Sequence, residues 1–73
     1  MAGNQAVRTY RKKRGLTQKA LGKELGVTGV TIYRWERGLR KIDDELLEPV
    51  SAKTGIKIPE LRPDLAKLLE PTQ

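Results

Sequence analysis

Glycines and prolines cut this 73-residue chain into short segments of helical pattern, and that punctuation limits the fold more than any other feature. Residues 4–14 set Val7 and Tyr10 three apart on one face, with Arg11 one turn beyond Val7. Gly15 stands where a left-handed residue would end that helix. Thr17 is a favoured N-cap for a second helix over 18–25, with Leu21 and Leu25 on its inner face and Gly26 as its stop. Val27 then fills a corner, and Thr28 caps a third helix over 29–37. Ile32 and Trp35 are its buried stripe and Gly38 its end.

Two helices joined by a turn of three or four residues containing glycine make a helix-turn-helix, here placed at about 17–37. Beyond Gly38 the stretch Leu39-Arg40-Lys41 leads to Ile42, and Asp43, Asp44 and Glu45 suit the positive end of a fourth helix. Pro49 removes one backbone donor from that helix, so the pattern predicts an irregular first turn over 43–47 and a helix over 48–54, ended by Gly55. Ile56 and Ile58 alternate too briefly for a strand, and residues 59–61 are expected to form a helical turn. Asp64 to Glu70 offers a last short helix with Leu65, Leu68 and Leu69 on one side and Pro71 as its stop. The fold expected is all-α, a compact bundle of about five short helices in a single domain over 1–73. A domain of this length has a thin core. Without Cys or His it can draw on neither disulfides nor the usual zinc ligands, so packing, and dimerisation if it occurs, must stabilise it.

Charge divides the chain. Residues 1–41 carry eleven Lys/Arg against Glu24 and Glu36, a net +9, whereas residues 42–73 carry four basic and seven acidic side chains, a net −3. A basic half joined to an acidic half suits a surface that faces a polyanion, although a merely solvated basic face has the same composition. No helix pairs a basic face with a broad apolar one, no apolar run approaches a bilayer span, and no signal-peptide core opens the chain. A cytoplasmic, nucleoid-associated protein of a bacterial host is the expectation, with no membrane partner, small-molecule ligand, metal or cofactor. An enzyme is disfavoured by the lack of His, Cys and a Gly-rich phosphate loop. The adjacent acids Asp43 and Asp44 suit a helix start better than a metal site.

The stretch Gly15-Leu16-Thr17-Gln18-x-x-Leu21-Gly22-x-x-Leu25-Gly26-Val27-Thr28-x-x-x-Ile32-x-x-Trp35-Glu36-x-Gly38 resembles the Cro/C1-type (Xre-like) helix-turn-helix family of phage repressors. Leu61-Arg62-Pro63-Asp64-Leu65, after Thr54-Gly55, resembles the tail of the YdaS/Cro-like prophage subgroup. The resemblance implies a lambda repressor-like domain that binds double-stranded DNA. The helix over 29–37 would lie in the major groove, which is about 12 Å wide and admits one helix. Thr28, Gly29, Val30, Thr31 and Arg34 would then face base edges. Arg34 would make a bidentate contact to guanine, the alternative being a phosphate contact without base readout. Val30 and Thr31 would meet thymine methyl groups.

By the same resemblance Gln18 would hold a phosphate at the start of the second helix, and Tyr33, Arg37, Arg40 and Lys41 would border the sugar-phosphate backbone. Arg8, Lys12 and Lys13 would add to the field. Arg11 has two implied roles: a backbone contact, and an ion pair with Glu36 that ties the first helix to the end of the third. Trp35, Ile32 and Glu36 are structural on this reading.

Two positions depart from the family pattern. Gly22 stands where relatives usually have Ala, at a cost of about 1 kcal/mol of helix propensity, while allowing closer helix approach. Gly29 stands where many relatives carry Gln or another base reader, which implies fewer direct base contacts and more dependence on DNA shape. The function expected is a Cro-like repressor at a two-fold operator, a homodimer at least on DNA. Leu65, Leu68 and Leu69 would either close the core or form the dimer contact within a C-terminal segment at about 56–70. The alternative is an antitoxin or antirepressor acting mainly through another protein.

Overall fold

A computed structural model describes residues 4–65. Five helices follow one another: α1 (Gln5–Lys13), α2 (Gln18–Leu25), α3 (Gly29–Arg37), α4 (Asp44–Thr54) and α5 (Ile58–Leu61), and residues 63–65 continue in helical conformation. No strand occurs among the described residues, so the all-α expectation holds. The first three helices fall within a residue of their expected limits because each carries its own start signal. The side chains of Asn4, Thr17 and Thr28 accept hydrogen bonds from the backbone N–H groups of Val7, Ala20 and Thr31, satisfying donors that a helix start leaves unpaired. Gly26 closes α2 at φ 79°, a conformation that a residue with a Cβ adopts only under strain.

α4 departs from the expectation. It begins at Asp44, four residues early, and runs unbroken through Pro49. Proline costs this helix one hydrogen bond, to the carbonyl of Glu45, but Glu45 and Pro49 both lie on the exposed side of the helix. Leu47 and Val50 are buried on the other side, and Asp44 and Glu45 sit at the favourable end of the helix dipole. Burial and dipole together outweigh the single lost bond.

One core joins every element. Val7 of α1, Leu21 and Leu25 of α2, Ile32 and Trp35 of α3, Leu47 and Val50 of α4 and Leu61 of α5 are buried together with Ile42 and Ile56 from the connections. Leu65 packs partly buried against this cluster, so it contributes to core closure. Leu68 and Leu69 lie outside the described residues. Asn4 ties three elements together: its backbone N–H donates to Trp35 O (3.0 Å) and its side-chain amide to Leu61 O (2.8 Å). The start of α1 is thus bonded both to α3 and to the end of α5. None of the described helices is long and apolar enough to cross a membrane.

Candidate nucleic-acid interface

Two glycines set how α2 and α3 meet. A Cβ on Gly22 would lie 2.6 Å from Val27 O and 2.9 Å from Thr28 O, both backbone atoms of the turn. An alanine here does not fit this turn as it stands, and the propensity lost at Gly22 is the cost of a closer approach. The Val27 N–H donates back to Gly22 O at 2.8 Å, which locks that approach. At Gly29 a Cβ would meet the backbone of Lys19 at 3.0 Å. The missing side chain therefore points at the first turn of α2, and position 29 belongs to the contact between helices. Whatever Gly29 could offer a base comes from its backbone.

With Ile32, Trp35 and Glu36 buried, α3 turns Val30, Tyr33, Arg34 and Arg37 outward at helical spacing. Val30 is 57% and Tyr33 41% exposed, both high for large apolar side chains. Arg34 has no ion pair and no side-chain hydrogen bond among the described residues, so its full donor fork is available. The Arg37 guanidinium lies over the Tyr33 ring, 5.7 Å from its centroid, within cation–π range. Thr28 and Thr31 are engaged with each other: the Thr28 hydroxyl caps Thr31 N–H (3.1 Å) and shares a hydrogen bond with the Thr31 hydroxyl (3.0 Å). Their methyl groups are what remains for an apolar contact.

Behind this face sits a polar knot. Arg11 donates from Nε and Nη2 to the two carboxylate oxygens of Glu36 (2.6 and 3.0 Å) and from Nη1 to Leu16 O (3.0 Å). The two side chains are 15% and 5% exposed. Of the two roles expected for Arg11, the geometry gives it the ion pair, because its fork is closed on Glu36. Gln18 donates to the same carboxylate at 3.3 Å, tying the start of α2 into the knot. Burial alone would raise the Glu36 pKa, but the hydrogen bonds from Arg11 and Gln18 and the nearby positive charges outweigh it and hold the carboxyl below its ordinary range. The hydrogen bond to Glu36 raises Arg11 in turn.

Over the knot opens a hollow of about 200 Å³ where α1, α2 and α3 converge, lined by Arg8, Lys12, Gln18, Tyr33 and Arg37 around Arg11 and Glu36. Among the described residues Arg8, Lys12 and Arg37 have no carboxylate partner within ion-pair distance. Since Arg11 neutralises Glu36, Arg8, Lys12 and Arg37 leave the hollow positive, which suits an anionic group. Arg8 and Lys12 come from α1, distant in sequence from the turn. Sequence reading gave them only a contribution to the field.

Arg40 and Lys41 are exposed but not bare. Arg40 pairs with Asp43 (3.2 Å) and Lys41 with Asp64 (3.5 Å). Arg62, to which no role was given from the sequence, holds this region together. It donates to Ile42 O (2.8 Å), Asp44 (2.7 Å) and both oxygens of Asp64 (2.9 Å each), with only 13% of its side chain exposed. The hydrogen bonds from Arg62 hold the Asp64 carboxyl well below the usual carboxylate range. No group of three or more His, Cys, Asp or Glu side chains that could hold a metal occurs among the described residues.

A helix-turn-helix with a basic outward helix and a positive hollow beside it defines a DNA-binding transcription regulator. A family model described as helix-turn-helix matches residues 7–61, and the chain belongs to that family. No curated protein and no solved structure matches it.

Proposed function

We propose that this chain is a sequence-specific repressor of the Cro/C1 type, encoded by a phage or prophage, that docks α3 in the major groove of a two-fold operator. The observation that carries the proposal is the outward row Val30, Tyr33, Arg34 and Arg37, which contains no carboxylate and presents Arg34, without a side-chain partner among the described residues, a turn beyond an exposed valine. Arg34 reads guanine through its fork, a contact worth about 1–3 kcal/mol of discrimination. Val30 and the Thr31 methyl meet thymine methyl groups, with Thr28 and the Gly29 backbone at the groove entrance. Tyr33, Arg37 and Gln18 take a backbone phosphate in the hollow, joined by Arg8 and Lys12, and Arg40 and Lys41 grip the next stretch of backbone. One such module contacts few bases, so two copies bind half-sites about one helical turn apart. The single domain, its cytoplasmic location and a place in the YdaS/Cro-like subgroup, suggested by Leu61-Arg62-Pro63-Asp64-Leu65, belong to the same proposal.

A gel shift against a random duplex pool, followed by sequencing of the retained fraction, tests it. Wild type is expected to enrich a two-fold sequence. Arg34→Ala should relax the preference at one position in each half-site, while Gln18→Ala should weaken all duplexes alike. Retention unchanged by both substitutions would remove the docking proposed.

A further inference from the structure

The loop that follows α3 is held from a distance in sequence. Arg62 donates to Ile42 O, fixing the backbone immediately after Lys41. Its Nε and Nη2 close on Asp64, and Asp64 in turn pairs with Lys41. Its Nη1 reaches Asp44 in the first residue of α4, one residue beyond the Asp43 that pairs with Arg40. One planar guanidinium therefore fixes the C-terminal side of the segment carrying Arg40 and Lys41, at Ile42 and at Asp44, and reaches Lys41 through Asp64, a task that needs donors diverging in a fixed fork. Largely covered, Arg62 presents little of itself to a ligand, whereas Arg40 and Lys41 are exposed. Asp43 holds Arg40 through one nitrogen shared between its two oxygens (3.2 and 3.4 Å) and Asp64 holds Lys41 at 3.5 Å, exposed contacts that a phosphate can displace without moving the loop.

We infer that Arg62 is a positioning residue for DNA binding: without touching DNA, it holds the loop so that Arg40 and Lys41 meet the sugar-phosphate backbone in register with α3. The inference rests on the DNA-binding reading above. It makes the short segment after α5 part of the binding machinery, acting through the loop.

The test keeps the charge and removes the fork. Arg62→Lys preserves net charge, so its long-range field on DNA is unchanged, yet one ammonium cannot serve Ile42, Asp44 and Asp64 together. At matched folded fraction, followed by Trp35 fluorescence, Arg62→Lys should bind the enriched duplex about three- to ten-fold more weakly. Its salt dependence should be shallower by up to two phosphates, at about 0.9 in log K per phosphate. Arg62→Ala should weaken binding in the wild-type chain but add nothing in an Arg40→Ala/Lys41→Ala background, because the loop then has no cations to place.

Wild-type affinity and salt slope in Arg62→Lys would overturn the inference. So would an undiminished Arg62→Ala loss in the doubly substituted background. A variant-free measurement stands beside these. On adding duplex, the amides of residues 39–43 should shift while the Arg62 Nε–H signal stays in place, and a large shift of that signal would make Arg62 a direct contact and overturn its positioning role. A wild-type chain retaining no duplex would overturn the DNA-binding reading itself, an outcome distinct from full binding by Arg62→Lys.

Discussion

Two arginines each close a fork on carboxylates, one tying α1 to the helix-turn-helix and one behind it. Arg11 meets Glu36 where both side chains are nearly covered, and the pair spans α1 and α3. Arg62 is as well covered as Arg11, but its partners Asp44 and Asp64 are open to solvent. The distances are similar and the energetics are not. Removing one member of a covered pair strands a charge away from water, at about 3–5 kcal/mol. An aspartate left without Arg62 is simply rehydrated. The first clasp therefore holds the fold, and the second holds the geometry of a loop.

The largest effect is expected at the first clasp. Glu36→Ala should cost about 3 kcal/mol or more, lowering the melting temperature by at least ~12 °C in a domain of this size, as circular dichroism would record. Next comes Gly22→Ala, whose methyl must enter the turn at 2.6 Å from Val27 O. Overpacking costs about 1–3 kcal/mol against a propensity gain near 1, so a net loss should appear in urea unfolding, and a stabilised variant would contradict the close approach. Arg62→Ala should follow at roughly 1 kcal/mol, mainly from the orphaned Ile42 carbonyl. Smallest is Arg14→Ala, whose exposed pair with Glu24 is 3.5 Å long. It should change stability by less than about 0.5 kcal/mol.

Acid tests the first clasp directly. Glu36 titrates below its ordinary value near 4.5 in the folded chain. A depressed carboxylate contributes stability that is complete above the unfolded pKa and is lost as pH falls through the folded one. Unfolding free energy should therefore drop as pH falls below about 4.5. In Glu36→Gln that part of the drop should be missing. An equally steep acid limb in Glu36→Gln would assign the transition to other groups, such as Asp64, which is also depressed.

The same contrast governs what could be read in advance. Arg11, Glu36 and the capped helices around them follow from local rules and a family motif, so the limits of α1 to α3 and the buried faces of Leu21, Leu25, Ile32 and Trp35 were legible. The bonds of Asn4 to Trp35 and Leu61, and those of Arg62 to Ile42 and Asp44, join residues 18 to 57 positions apart and leave no trace in periodicity. Pro49 misled because local propensity says nothing of which face its lost bond would lie on. The close approach at Gly29 was not legible, because its motif position does not reveal where its absent Cβ would point. At the candidate site, outward exposure of Val30 and Arg34 could be anticipated. The convergence of Arg8 and Lys12 with Arg37 over Glu36 required the packing of α1 on α3.

Amide chemical shifts recorded while titrating in the enriched duplex test the placement of α3 most directly. Residues 28–37 should move most, with Arg8, Lys12 and Gln18 next and the exposed acidic side of α4 nearly still. Shifts that spared 28–37 and gathered along α4 and α5 would contradict it.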